Sequence, residues 1–214
     1  MEELFDLYDD EGRPLGVTKE RSLVHRDGDW HRSIHLWVIR ADGRLLFQQR
    51  GAGKDTMPGL LTASVGGHYA AGEQLREVLR EAREEIGWQA NAEDLIALGL
   101  WRYEDTASDP GVIDRELQDV FFWPLEADLT EFRPAAAEVT ALVEVAPREL
   151  LRLIEGRVRH IDVTRLRAGE TRAERATVAI EDFVPSAEYH ARVAGAALVY
   201  AGGGEPWLGV EPEE

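Results

Sequence analysis

"LREAREEIGW", residues 79–88, sets the reading of this chain, because it gathers Glu81, Glu84 and Glu85 between apolar residues. Extended back to residue 74, the apolar positions Leu75, Val78, Leu79, Ala82 and Ile86 recur at helical spacing, and Gly87 supplies a stop. The periodicity predicts one helix over about residues 74–86. At the α-helical pitch Glu81 and Glu85 lie one turn apart, with Glu84 beside both, on the flank away from the core. Like charges at that spacing cost roughly a few tenths of a kcal/mol per pair. Arg76, Arg80 and Arg83 offset part of that cost, so a solvated acidic face is one reading. The preceding "GGHYAAGE", residues 66–73, supports another. Gly66 and Gly67 let backbone approach a ligand closely. Carboxylates beside an open carbonyl make a hard-oxygen site suited to Mg²⁺ or Mn²⁺.

Composition narrows the function. The 214 residues carry 24 Lys+Arg against 41 Asp+Glu, a formal net charge of -17. That field repels nucleic acid and anionic membrane, so neither is an expected partner. Divalent cations would reconcile it with a small phosphorylated substrate. The chain has no cysteine, which excludes disulfides, thiolate metal sites and a cysteine nucleophile. The acidic start lacks a signal-peptide pattern, and no apolar run reaches the ~18 residues of a spanning helix. The expectation is a cytoplasmic protein, with residues 1–201 as a single domain and 202–214 as a flexible tail.

Outward from the helix, turn chemistry over residues 9–14 predicts a first hairpin. "HRSIHLWVIRADGRLLFQQR", residues 31–50, reads as a stronger hairpin turning at residues 41–43. Residues 51–60 form a glycine-rich loop. Strands are expected in "LIALGLWRYE", "ELQDVFFWPLE" and "EVTALVEV". A short helix starts at Pro147, and a last helix is expected with Ser186 as its N-cap. Residues 157–180 carry no interpretable motif and are open to a lid, an oligomer contact or an extra hairpin.

"GHYAAGEQLREVLREAREEIGW", residues 67–88, resembles the Nudix box, G-x5-E-x7-R-E-U-x-E-E-x-G-U, through Gly67, Glu73, Arg80, Glu81, Ala82, Glu84, Glu85, Gly87 and Trp88. Six residues separate Glu73 from Arg80 where the family has seven, and Ala82 is small for its slot. The resemblance implies an α+β fold of Nudix type, an α/β/α sandwich with a mixed sheet flanked by helices. It also implies divalent-metal-dependent hydrolysis of a nucleoside diphosphate linked to another moiety. By that resemblance Glu84 and Glu85 are the principal metal ligands with the Gly66 carbonyl. Glu81 is a ligand or the base, and Arg80 orients the carboxylates. The resemblance also implies a further carboxylate from a later segment, for which Glu116 is the first candidate and Asp114 the second. Family members are often dimers, so a homodimer is open.

"HRDGDWHRSIHLWVIRADGRLLFQQR" and "KDTMPGLLTASVGGHYAAGE" are similar to the Nudix branch that includes isopentenyl-diphosphate isomerase and its hydrolase relatives, over roughly residues 3–125. In that branch histidines near the first hairpin and at the glycine bend hold a metal. His25, His31 and His68 stand at about those places, against the plainer reading of packed hairpin histidines. The isomerases need a cysteine where this chain has Gly66. The hydrolase side is therefore favoured, with an isomerase or a non-catalytic binding module as alternatives. Arg50 and Lys54 are the candidate phosphate contacts. Trp101 and Tyr103 are core or pocket aromatics.

Overall fold

The computed structural model describes residues 3–54, 56–106 and 111–209. In chain order its strands are β1 (Leu4–Tyr8), β2 (Pro14–Glu20), β3 (His31–Ile39), β4 (Leu45–Arg50), β5 (Leu61–Thr62), β6 (Val65–His68), β7 (Ile96–Asp105), β8 (Asp114–Pro124), β9 (Val139–Val145), β10 (Ile161–Arg167) and β11 (Glu174–Val178). Its helices are α1 (Arg21–Asp27), α2 (Leu75–Val78), α3 (Arg80–Ile86), α4 (Pro147–Ile154) and α5 (Ala187–Ala201).

β3 is buried on both faces, as expected of a central strand. Ile34, Leu36 and Val38 face one core with Val78, Leu79, Ala82 and Ile86 of the box helices. Trp37 and Ile39 face the other, with Leu150 of α4 and Tyr189, Val193 and Ala197 of α5. Alternation along one strand thus feeds two helical layers, which makes the α/β/α sandwich. The main sheet runs β11-β10-β9-β4-β3-β8-β7, with β5 on β4 and β6 on β3. β3 and β8 pair in parallel and the other pairs are antiparallel, so the sheet is mixed. No helix among the described residues is long and apolar enough to cross a membrane.

Four expectations change. The hairpin over residues 31–50 pairs only at Ile39 and Leu45. Beyond that point β3 takes β6 and β8 as partners and β4 takes β5 and β9, which opens the sheet beside the glycine bend. The helix expected over residues 74–86 is two helices broken at Leu79, whose φ of -63° and ψ of -8° leave the regular helix. Ser186 stands at the N-cap of α5, yet its side chain makes no cap hydrogen bond. The tail expected from residue 202 is docked through Leu208, which is buried and donates its N–H to Leu98 O at 3.0 Å. Residues 210–214 of that tail lie outside the described residues. Residues 157–180 contribute β10 and β11, the extra hairpin at one sheet edge.

Candidate active site

The box helix delivers its carboxylates to the opening between β4 and β6. Gly87 ends α3 with φ 73°, and a Cβ there would come within 2.6 Å of Arg133 Cβ. Glycine is therefore required twice over, by backbone sign and by space. Glu85 is buried. Its Oε2 accepts the Gly66 N–H at 3.1 Å and a Gln48 Nε2–H at 3.0 Å, while Lys54 Nζ lies 3.5 Å from Oε1. Burial pushes the Glu85 pKa up, and Lys54 and the two hydrogen bonds oppose that. Glu81 is half-buried with Arg80 Nη2 at 3.1 Å, and burial pushes it up to about 7 against the pull of Arg80. A Cβ on Gly67 would stand 2.5 Å from Glu81 Cγ, so the missing side chain makes room for this carboxylate. Glu84 is exposed.

The shortened box still closes. Arg80 pairs with Glu73 across the break at Leu79, and Glu73 also accepts the Ala70 N–H at 2.9 Å. Lys54 pairs with Glu138 at 2.5 Å. Glu138 also acts electrostatically on both Glu81 and Glu85. Glu138 thus lies beside the box carboxylates, whereas Glu116, the later carboxylate expected from the sequence, stands with Ser33 and His68. The Glu138 signal was faint: one acidic residue opening the "EVTALVEV" strand. Arg50 gives two N–H groups to Thr56, to its carbonyl at 2.9 Å and its hydroxyl at 3.0 Å. Burial lowers the Arg50 pKa, and the carboxylates that oppose this are Glu85, Glu116 and Asp114. Arg50 therefore lies between two acidic centres.

The second centre collects His25 of α1, His31 of β3, His68 of β6, and Asp114 and Glu116 of β8. His25, His31 and His68 bring one ring nitrogen each within 4.8 Å of one another, and His31, Asp114 and Glu116 do the same with one ligand atom each. Among the described residues the box carboxylates form no such set; the third is the turn Asp9, Asp10 and Glu11. Asp114 Oδ1 lies 3.8 Å from both His25 Nε2 and His31 Nε2. The Asp29 carbonyl can only accept, so His31 Nδ1–H donates to it at 3.2 Å and Nε2 keeps its lone pair. Burial holds His31 down to about 3, so the ring is neutral at neutral pH. Glu116 is buried and accepts from Ser33 Oγ at 2.6 Å and Gln118 Nε2 at 2.8 Å, with His68 Nε2 at 3.2 Å. Against its burial, the contact with His68 holds Glu116 well below the usual carboxylate range. Burial, then Glu116, pushes Asp114 up to about 8. Phe5 lies over this cluster, stacked on His31 at 5.1 Å and on His68 at 4.9 Å.

His31 Nε2 and Asp114 Oδ1 are buried atoms without a hydrogen-bond partner. Such atoms facing each other are costly unless a cation or water completes them. Neutral imidazole and carboxylate at this spacing fit a transition-metal ion. The box carboxylates, although spread wider than such a set, offer hard oxygen, the donor type that Mg²⁺ and Mn²⁺ take. Trp101 packs against the α5 side of the core, 5.3 Å from the Tyr189 ring, and Tyr103 Oη lies 3.4 Å from Asp105 Oδ2.

Comparison with known proteins identifies the family and the fold. The model of the NUDIX domain matches residues 29–166. An uncharacterised Nudix hydrolase of Clostridium acetobutylicum is 33% identical over 160 residues, 73% of this chain and 76% of the relative. An isopentenyl-diphosphate Delta-isomerase of Leifsonia xyli is 35% identical over 148 residues, 68% of this chain and 77% of that one. The crystal structure of DR0079 from Deinococcus radiodurans shares the fold at a TM-score of 0.56 and 21% identity, over 72% of this chain and 90% of that one. The chain belongs to the Nudix hydrolase family, and the enzyme class that membership carries is pyrophosphohydrolase.

Proposed function

We propose that this chain uses Mg²⁺ or Mn²⁺ to hydrolyse a phosphoanhydride bond in a nucleoside diphosphate linked to another moiety, or in a similar pyrophosphate. The observation that carries this reading is the Glu85 carboxylate, fixed by the Gly66 N–H and Gln48 beside Glu81 and Glu138, with the Lys54 ammonium already seated among them. That point attracts positive charge and offers only hard oxygen.

Glu81, Glu84, Glu85 and the Gly66 carbonyl would hold the ion, with Glu138 in place of Glu116. Bound there, the ion supplies Lewis acidity toward phosphoryl oxygen. Where the ion is held by the other groups, Glu81 receives the proton of the attacking water. Arg80 holds Glu81 and Glu73 in register through charge-assisted hydrogen bonds. Arg50 and Lys54 receive the diphosphate, the first as a fork braced on Thr56 and the second as a mobile point charge. A cysteine-free chain with an acidic surface fits a cytoplasmic setting.

A second reading, isopentenyl-diphosphate isomerase chemistry, is favoured by the histidine–carboxylate cluster and opposed by Gly66, which offers no proton donor. One experiment separates them. The protein is incubated with Mg²⁺ or Mn²⁺ and a panel of nucleotide sugars, ADP-ribose, dinucleotides, nucleoside triphosphates and isopentenyl diphosphate. Release of phosphate or nucleoside monophosphate, lost in Glu84→Gln with the fold intact, supports hydrolysis. Double-bond migration supports the second reading. Ligand-induced stabilisation without turnover would mean a binding module.

A further inference from the structure

Gly66 stands between the two acidic centres. Its N–H goes to Glu85 Oε2 at 3.1 Å, and its bare Cα faces the ring of His35. A Cβ there would lie 3.7 Å from His35 Cδ2 and 3.8 Å from Nε2. His35 pairs with Gly66 on one side, and its ring shares the sheet face of His31, His68 and Glu116. The far side of the ring is held from α5, beyond residue 166, where the match to the family domain ends. Tyr189 Oη accepts Trp37 Nε1–H at 3.0 Å and lies 2.8 Å from His35 Nδ1. Tyr189 is buried, and among the described residues its hydroxyl proton has no acceptor besides that nitrogen. Were Nδ1 protonated, the hydroxyl would meet two donors and bury its own proton unpaired, which is costly. Tyr189 therefore donates to Nδ1, and the ring carries its proton on Nε2. Nε2 has no hydrogen-bond partner among the described residues, yet it is not one of the buried unpartnered atoms. It opens on solvent at the face of Gly66.

This arrangement makes His35 a donor and not an acceptor. A neutral imidazole with Nδ1 occupied offers one N–H in one direction. Burial keeps the ring neutral, holding its pKa down to about 4 against the pull of Glu116. Arg50 is close enough to add to that fall, and its own charge is felt by both Glu85 and Glu116. An N–H donor and a guanidinium thus attend bare glycine backbone, which a ligand can approach closely. The group that answers both is an anionic oxygen, whereas a cation would meet only positive hydrogen. The donor is also preset. Tyr189 is fixed by Trp37 and by the Trp101 ring at 5.3 Å, so little freedom is lost when a ligand arrives. We propose that His35 is a substrate-binding residue, donating Nε2–H to a non-bridging phosphoryl oxygen over Gly66, and that Tyr189 is the positioning residue that keeps this proton on Nε2. This rests on the hydrolase reading and adds a contact that the box does not supply, governed by a helix outside the family domain.

Two measurements test it. In the first, isotope-labelled histidines are observed by nitrogen NMR, with the His35 signals assigned by their absence in His35→Gln. The native chain is expected to show a protonated Nε2 and a bare Nδ1, and Tyr189→Phe to lose that bias. A protonated Nδ1 in the native chain overturns the proposal. In the second, methylenediphosphonate, a diphosphate that cannot be hydrolysed, is titrated calorimetrically with Mg²⁺ into the native chain, His35→Phe, His35→Gln and Tyr189→Phe, with folding checked by circular dichroism. His35→Phe keeps a ring and loses the donor, so affinity should fall about tenfold or more. His35→Gln restores an N–H near the place of Nε2 and should recover most of that loss, which a purely structural role would not allow. Tyr189→Phe should fall between the two. Absence of binding to the native chain overturns the contact, as does undiminished binding in folded His35→Phe or an equal loss in the Phe and Gln variants. If His35→Phe misfolds, the NMR result and Tyr189→Phe decide. Turnover of nucleoside diphosphate derivatives, followed in the same variants, separates this from the hydrolase reading. His35-dependent binding in a chain that hydrolyses none of them would sink that reading and keep the contact. Hydrolysis with binding indifferent to His35 would do the reverse.

Discussion

Two acidic centres flank β6, and they are built in opposite ways. The box centre is an open rim: Glu84 is exposed, and the Lys54 and Arg80 side chains already pair with its carboxylates. The histidine centre is enclosed, lidded by Phe5, and has two facing buried atoms with no partner. The consecutive glycines Gly66 and Gly67 divide them, the first turning its bare face to His35 and the second to Glu81. The difference teaches that carboxylate count alone does not define a cation site. A rim held by organic cations can exchange them for a hard ion and a phosphate. A buried imidazole–carboxylate set is preorganised for one tightly held ion.

Several measurements would break or sharpen that contrast. The largest expected effect is in Glu81→Gln: kcat falls about 10²–10⁴-fold in a steady-state assay at saturating Mg²⁺, with an unchanged circular dichroism spectrum. An equal fall in Glu116→Gln would make both centres part of one reaction and remove the contrast. Next, His31→Gln is expected to weaken Zn²⁺ or Mn²⁺ affinity about 10–100-fold in calorimetric titration, whereas Glu84→Gln leaves that tight site as it was. Identical titrations of the two variants would mean the enclosed centre holds no ion.

The glycine pair predicts an asymmetric cost. Gly67→Ala forces a methyl group against Glu81 and should destabilise by about 1–3 kcal/mol in urea unfolding. Gly66→Ala meets His35 at ordinary contact distance and should cost clearly less. Equal costs would remove the two-sided role given to β6.

The smallest effect concerns His190, buried on the α5 side among Trp37, Phe47 and Phe183. Burial lowers its pKa to about 4. The folded state therefore binds this proton less readily than the unfolded chain, whose histidine titrates near 6.5. Its contribution is fully present above about pH 6.5 and is lost progressively as pH falls toward about 4. Between pH 7 and 6 the loss should stay under about 1 kcal/mol. The urea midpoint of the native chain should drop over that interval more than that of His190→Phe, and parallel curves would contradict it.

Much of this architecture is legible along the chain because its causes are local. The 3.6-residue periodicity of Val78, Ala82 and Ile86, the stop at Gly87 and the spacing of Arg80, Glu81, Glu84 and Glu85 all lie within one short segment. The features that escaped are contacts between distant segments. Glu138 reaches the box only because β9 lies beside β4. Glu116 turns from the box because its strand runs parallel to β3 and delivers it to Ser33 and His68. Helix α1, which carries His25, is seven residues long with one buried side chain, too short for a periodic signal.

By itself, then, the amino-acid order determined the family, the box segment with its carboxylates, the acidic field that calls for cations, and the exclusion of thiol chemistry. Only the tertiary structure decided how the carboxylates divide into two centres, which later acid joins each, and that α5 reaches His35 through Tyr189. The physical reason is range. Periodicity and capping act over a few residues, whereas strand pairing and burial, which place side chains and shift their pKa values, join positions more than a hundred residues apart, as in the hydrogen bond between His35 and Tyr189.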